Sequence, residues 1–428
     1  VEQKNGIEGF ENHEHWSAVK GVCQQLAQSG YQALLAGGCV RDLLMGRKPN
    51  DFDIATNATP DQVEALWPRA VLVGKAFGVI ILPFEGFQVE VATFRQDLEY
   101  RDGRRPEGVR FSTPEEDAKR RDFTVNALFY DLAKNTVVDY VNGRVDIASK
   151  VIRTVGLPEL RFGEDKLRIL RAVRFAAQLD FSIEAETYAV IVRLRTEVTQ
   201  VSRERVRDEL LKLLKAPRRS KGLELLLETG LLEVLFTELA LKLRPGLERE
   251  WLARLARIDC RDQAASLAAF FAPLFTSGSA TEFRDRQLKA LKLDSKQIEA
   301  VLFALKNEVR FQKPESIRVG ELAILLSNPS SPSAQSFAFS GLVDGGQSAA
   351  VSLDALAKRA LTRDEANGAL SLPEAFLSGE DAKAVGMTPG PELGRALHEA
   401  FLLQLEGQLS DRSAALTWLK SAPRETKR

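Results

Sequence analysis

Asp51 and Asp53 flank Phe52 in the run Asp51–Thr56, where Phe52 and Ile54 alternate with the acids. On a β-strand residues i and i+2 project from one face, so this spacing predicts two carboxylates side by side. Such a pair suits hard divalent cations and, through them, phosphates. The run Phe87–Phe94 repeats the alternation, with Gln88, Glu90 and Ala92 on one face and Val89, Val91 and Thr93 on the other. Glu90 is therefore the candidate third acid, brought in from a neighbouring strand. Three such acids could hold two magnesium ions, one lowering the pKa of an attacking hydroxyl and one neutralising a leaving pyrophosphate. That is the donor set of in-line nucleotidyl transfer. A calcium loop is excluded, because Ala55 and Thr56 stand where its third ligand and its glycine belong. An isolated acid-x-acid pair is more often two solvated carboxylates at a strand end, so the neighbouring segments decide.

Upstream, Ala33–Ala36 reads as a short buried strand running into Gly37 and Gly38 and then into a helix near Val40–Leu44. Glycine lets backbone approach a ligand closely, and the N–H groups of a helix start favour an anion. Gly37, Gly38 and Arg41 are the candidates to hold a triphosphate. A P-loop is excluded, since Gly74-Lys75 is followed by Ala76 and Arg69 occupies the place of the first glycine.

Downstream, Arg120–Ala127 interleaves polar and apolar positions and reads as the start of a strand or short helix. Asp122 and Asn126 can accept from and donate to a ribose 2′-hydroxyl, the group that separates RNA precursors from deoxynucleotides. In Glu164–Phe175, helical spacing puts Asp165, Arg168, Arg171, Ala172 and Phe175 on one side, with Ile169, Leu170 and Val173 as the buried stripe opposite. A carboxylate at Asp165 accepts from cytosine N4 or adenine N6, and a guanidinium at Arg168 donates to the adjacent ring acceptor. Uracil and guanine present the reversed pattern, so this pair selects CTP and ATP without a nucleic-acid template. Arg171 and Arg174 follow as further nucleotide-binding candidates.

These residues require elements to carry them. Before about residue 150, short β-rich runs alternate with turns and two helices; after it, the pattern is almost wholly helical. The expected fold class is α+β, a mixed-sheet head followed by helices. The expected divisions are an N-terminal extension at 1–20, a head at 21–150, a helical neck at 151–222, a body at 223–330 and a tail at 331–428. The run Asn328–Ser333 is the most linker-like boundary, and the first dozen residues look poorly structured. Between Asp97 and Pro106 a charged, glycine-containing stretch reads as a mobile loop beside the site. Ser202–Leu214 reads as an amphipathic helix with Ser202 at its N-cap, assigned chiefly to neck architecture together with Glu204, Arg205 and Glu209.

Composition bounds the reading without deciding it. The chain has 428 residues with 59 basic and 59 acidic side chains, and 44% of it is apolar, ample for globular cores. Zero net charge conceals a local excess: Lys150–Gly222 holds 17 Lys and Arg against 10 Asp and Glu. A basic stripe of this kind is the electrostatic footprint expected for RNA. Cys23, Cys39 and Cys260 have no metal spacing and suggest no disulfide framework, and the three histidines form no metal triad. No signal peptide and no membrane-length apolar run stands out, so the expectation is a cytoplasmic protein.

The segments Leu35–Gly46, Asp51–Thr56, Arg120–Ala127 and Glu164–Phe175 together resemble the ordered motifs of the class II tRNA nucleotidyltransferases, the bacterial and eukaryotic CCA-adding enzymes. The resemblance covers about the first half of the chain and weakens beyond about residue 220, although Gly386–Gly394 resembles a C-terminal segment of some members. It implies a DNA polymerase β-like head, magnesium (two ions), the substrates ATP and CTP, and as partner a tRNA lacking part or all of its 3′ CCA. It also implies ribose recognition by Arg121, Asp122 and Asn126, an amino-acid template in the neck, and a loop at Asp97–Pro106 that serves the switch from C to A. An A-adding relative and a bacterial poly(A) polymerase share these motifs. The poly(A) polymerases usually carry a basic Gly-Arg-Arg-Phe type segment where this chain has Val73–Gly78, which favours CCA addition. A non-catalytic RNA-binding module is disfavoured by the three acids, which a pure phosphate binder would not concentrate.

Overall fold

A computed structural model describes residues 13–74, 78–97, 108–243, 246–342, 345–360, 362–363 and 370–422. The expectations for the first dozen residues, for the loop beyond Asp97 and for Lys75–Phe77 lie outside the described residues. The chain divides into two compact units, Val1–Ala240 and Leu241–Arg428.

The first unit begins with helix α1 (Trp16–Gln28), whose Val19, Val22, Cys23 and Leu26 are buried at helical spacing. Strand β1 (Ala33–Ala36) follows, then helix α2 (Gly38–Leu44), β2 (Asp53–Thr56), α3 (Pro60–Leu66), β3 (Val71–Gly74), β4 (Val79–Phe84) and β5 (Phe87–Thr93). Thr59 starts α3 with a capping box, its side chain accepting from Gln62 while Pro60 takes the first helical position. A small ribbon of β6 (Arg95–Asp97) and β7 (Val109–Phe111) precedes α4 (Pro114–Lys119), a single 3-10 turn at Thr124–Asn126, β8 (Leu128–Asp131), β9 (Thr136–Asp139) and α5 (Gly143–Ser149).

Seven strands form one mixed sheet in the order β3-β4-β5-β2-β1-β8-β9. All neighbours are antiparallel except β2 and β5, which run parallel. The two faces of the sheet sort by side-chain alternation. Leu35, Ile54, Val89, Val91, Leu128 and Tyr130 pack under α1, α2 and α3. Leu34, Ala36, Ala55 and Phe129 face the other way, against Phe94, Ala118 and Val155. The expected mixed-sheet head is what the structure shows, and its acids lie on this second, less covered face.

From residue 150 onward helices dominate, as expected: α6 (Pro158–Glu164), α7 (Leu167–Leu179), α8 (Ala185–Leu194) and α9 (Arg203–Leu214), followed by Arg219–Glu228 and Leu231–Leu235. Ile169, Ala172, Val173, Ala176 and Ala177 of α7 are buried. Ala172 thus belongs to the packed side rather than to the polar side assigned from spacing. Ser202 is the N-cap of α9 by position, but its side chain accepts no hydrogen bond there. Helix packing here is close enough to require Gly222: a Cβ would lie 2.5 Å from Leu213 Cδ1 and 2.8 Å from Ala177 Cβ.

The second unit is helical, built around Trp251, Leu255, Phe270, Phe271, Phe311 and Phe337, with a smaller cluster of Leu377, Ala382, Ala400, Leu409, Ala415 and Leu419. The run Asn328–Ser333 is a tight connection inside this unit: Asn328 Oδ1 accepts from Ser330 N at 2.9 Å and the next helix already begins at Ser331. No helix among the described residues is long and apolar enough to cross a membrane.

Candidate active site

Asp53 opens β2, where it lies opposite Ala36 of β1 and Glu90 of β5. Because β2 and β5 run parallel in this register, the two acids emerge side by side on the less covered face. Asp51 falls short of the strand and is exposed. The cause is local: β1 ends at Ala36, and Gly37 turns away with φ 76°, so the ladder offers no partner before Asp53. Phe52 is buried, as its alternation requires, and meets His13 edge-on with ring centroids 4.8 Å apart.

Burial, then the charges of Glu90 and Asp51, push the Asp53 carboxyl up to about 6, against the pull of Arg121. Glu90 is raised too, by desolvation in the cleft and by Asp51, while Arg95 and Arg121 oppose the shift. Acids that disfavour one another's ionisation are what a bound cation would relieve. Among the described residues no group of three or more His, Cys, Asp or Glu side chains is placed to hold a metal ion. Magnesium does not need one, since it is commonly held by one or two carboxylates with water and substrate phosphates completing the octahedron. The donor set fits that ion.

Gly37 makes the turn from β1 into α2. Its positive φ favours glycine, and a Cβ there would lie 2.9 Å from Arg121 Nη1. Arg41 of α2 is buried; its Nη1 donates to Asn126 Oδ1 and its Nε to Asp42 Oδ1 at 2.9 Å. Arg121 donates to the backbone carbonyl of Asn126 at 3.2 Å and to Asp117 Oδ2 at 3.0 Å. Burial would raise the Asp117 carboxyl, but Arg121 and Arg120 hold it low.

Asp122 has no free oxygen of the kind its sequence reading assumed. Its Oδ2 accepts from Arg171 Nε at 2.8 Å and Nη2 at 2.5 Å, and its Oδ1 from Phe123 N at 2.8 Å and Asn126 Nδ2 at 3.2 Å. It is a hub that fixes a neck arginine to the head and orients Asn126. Burial acts to raise its pKa, yet Arg171 outweighs it and holds the carboxyl at about 2.

Asp165 differs most from expectation. It sits in the break between α6 and α7 with extended backbone, φ −149° and ψ 108°, rather than on the helix with Arg168. Its Oδ1 accepts from Leu167 N at 3.0 Å, as an N-cap would, and both oxygens accept from Arg205 at 3.1 and 2.7 Å. Arg168 is held by Glu164 at 2.5 Å and by the Arg161 carbonyl at 3.1 Å. The acceptor and the donor thus each have their own anchor and do not pair with each other.

A cleft of about 530 Å³ gathers Gly37, Gly38, Arg41, Asp53, Glu90, Arg121, Asp122, Asn126, Asp165, Arg168 and Arg171. Asp51 and Arg174 are not on its wall. Arg174 reaches α9 instead, where it pairs with Glu209 at 2.5 Å, and it lies over the Phe175 ring at 3.7 Å. Arg95, Arg120, Phe175 and Arg205 also line the cleft. Of these, Arg95 carries no signal in the sequence, and Arg205, expected in neck architecture, reaches the cleft through a pairing that spans 40 residues and leaves no local signal.

The Poly A polymerase head domain profile matches residues 33–153, and a profile described as the probable RNA and SrmB-binding site of polymerase A matches residues 180–243. The head, with its acids on the open face of a mixed sheet, is therefore that of a polymerase-type nucleotidyltransferase. The chain is 40% identical to a CCA-adding enzyme of a Geobacillus species over 68% of this chain and 70% of that one. It is 45% identical to that of Geobacillus thermodenitrificans over 55% of this chain and 57% of that one. These sequence matches therefore span between about half and about two thirds of the relatives' length. A crystal structure of the Bacillus stearothermophilus CCA-adding enzyme in complex with CTP superposes with a TM-score of 0.76 at 31% identity, covering 95% of this chain and 97% of that one. This chain belongs to the family of CCA-adding enzymes.

Proposed function

We propose that the chain adds C, C and A to the 3′ end of tRNA from CTP and ATP, releasing pyrophosphate, in the cytoplasm. The observation that carries the reading is one cleft with two chemistries in it. The Asp53–Glu90 pair lies on the strand wall, and an acceptor and a donor, Asp165 and Arg168, lie on the neck wall. Family membership supports the same activity.

Asp53 and Asp51, with Glu90 beside them, would hold magnesium, which when bound supplies charge neutralisation at the phosphates and activation of the attacking hydroxyl. Arg41, Arg121 and Arg171 line the cleft together with Gly37 and would meet the triphosphate there. Each is braced by an acid or a side-chain amide, so little reorganisation is needed as charge moves to the leaving group. Asn126, oriented by Arg41 and Asp122, is the group left to meet the ribose.

Base choice falls to Asp165 and Arg168. The carboxylate accepts from the exocyclic amino group and the guanidinium donates to the neighbouring ring atom, which suits cytosine and adenine alone. A wrong base leaves buried polar groups unpaired, at about 1–3 kcal/mol each.

The test is incubation of the protein with labelled tRNA lacking CCA, given CTP, ATP or both. CTP alone should give CC, and both together CCA, while tRNA ending in CC should take A from ATP. Addition of A only to tRNA ending in CC would make it an A-adding enzyme, and processive A on unrelated RNA a poly(A) polymerase. Binding without addition would leave a non-catalytic RNA-binding module.

A further inference from the structure

We propose that Arg205 is a positioning residue for base selection, acting through Asp165; the proposal rests on the function proposed above. Arg205 is the third residue of α9, 40 residues from Asp165, and its Nη1 and Nη2 donate to the two carboxylate oxygens at 3.1 and 2.7 Å. The two-point contact fixes the plane of the carboxylate as well as its place, which a single contact or a Lys ammonium cannot do.

Orientation matters here because Asp165 lies in the break between α6 and α7 rather than inside either helix. Its backbone is extended, and among the described residues its carboxylate accepts, besides Arg205, from the Leu167 N–H, at 3.0 Å on Oδ1. Without the guanidinium, χ1 and χ2 are free to swing the acceptor away from the base. Arg168, the donor of the pair, is held separately by Glu164 and by the Arg161 carbonyl, so the loss of Arg205 misaligns the acceptor alone. The consequence is selective. Accepting from an amino group distinguishes C from U and A from G, and a carboxylate that can turn aside no longer penalises a carbonyl at that position.

Three further facts locate the effect in the site. Arg205 itself lines the cleft, whereas Glu209 of the same helix is buried against Arg174. Its side chain is about a quarter exposed, so the pair is neither a fully solvated surface contact nor a sealed core one. Arg207, two residues on, pairs instead with Asp208 and does not line the cleft.

The experiment compares CTP with UTP, and ATP with GTP, as ratios of kcat/KM on tRNA ending before the first C or after CC. The wild-type chain must first show addition with selectivity; if it adds nothing, the proposed function fails and not this inference. Arg205→Ala should lower the CTP/UTP ratio roughly tenfold or more, equivalent to losing one well-formed hydrogen bond. Arg205→Lys should fall between the two, and Arg207→Ala should keep the wild-type ratio. In the Asp165→Ala background, Arg205→Ala should change the ratio no further, because its effect passes through the carboxylate. If Arg205→Ala does not fold, Arg205→Gln, which is shorter and uncharged but keeps a polar side chain with a donor, is measured by the same ratios. Equal loss of rate with all four nucleotides, at unchanged ratios, overturns the proposal, as does a full further loss of selectivity in the Asp165→Ala background.

Discussion

Asp53 and Glu90 stand directly opposite each other on the one parallel strand pair of a sheet whose other neighbours are antiparallel. Their register, not the spacing of Asp51 and Asp53 along the chain, is what gathers negative charge at one point on the open face. The arrangement is costly without a cation, because partial burial and two acid neighbours all disfavour the ionised form of Asp53.

Asp53→Asn should therefore abolish nucleotide addition and stabilise the metal-free protein. The folded-state pKa is raised from 3.8 to about 6, so between those values the folded chain binds more protons than the unfolded one. Stability from this group consequently falls as pH rises through the window and stays lower above it. At pH 7 in EDTA, removing the charge should recover about 1–3 kcal/mol, read as a higher Tm. A variant that keeps near-normal magnesium-dependent turnover would remove Asp53 from the chemistry.

Magnesium should have the opposite pH dependence. It competes with the proton at Asp53, so its stabilising effect should be small at pH 5 and grow as pH passes 6. Melting curves with magnesium chloride or EDTA at each pH measure it directly. A shift in Tm that is the same at pH 5 and pH 8 would place the ion elsewhere.

Asp122 behaves in the reverse sense. Arg171 depresses its carboxyl from 3.8 to about 2, so its contribution is complete above the unfolded value and is lost as pH falls through that interval. Arg171→Ala leaves a buried carboxylate without its main partner and should cost about 3–5 kcal/mol at pH 7. It should also weaken nucleotide binding, since Asp122 orients Asn126 as well. Denaturant melts and nucleotide titration of the same variant report the two effects separately.

What sequence revealed and what it hid divide by range. Period-two alternation in Phe87–Phe94 predicted that Glu90 faces away from Val89 and Val91, and β5 bears this out. The expectation that Glu90 sits on a strand next to Asp53 holds in the sheet register. Helical spacing from Arg168 to Phe175 held for Arg168, Arg171 and Phe175, which line the cleft. It failed at its upstream end, because a periodic pattern cannot announce that the helix starts two residues after Asp165. Arg174, a further nucleotide-binding candidate, pairs instead with Glu209 on another helix. Pairings across 35 or 40 residues, such as Arg174 with Glu209 and Asp165 with Arg205, depend on how helices pack and have no local signature.

Arg168 provides the sharpest test of the neck wall. It touches no acid of the strand wall; its anchors are Glu164 and the carbonyls of Arg161 and Arg120. Arg168→Ala should therefore leave Asp53 and Glu90 in place and act on the base. The donor to cytosine or adenine is lost, so kcat/KM for CTP and ATP should fall by about tenfold to a hundredfold while UTP and GTP change little. Single-nucleotide incorporation on tRNA lacking CCA measures all four. A uniform fall across the nucleotides would instead assign Arg168 to holding α6 against the head, through its bond to the Arg120 carbonyl at 3.4 Å, and would take base reading away from it.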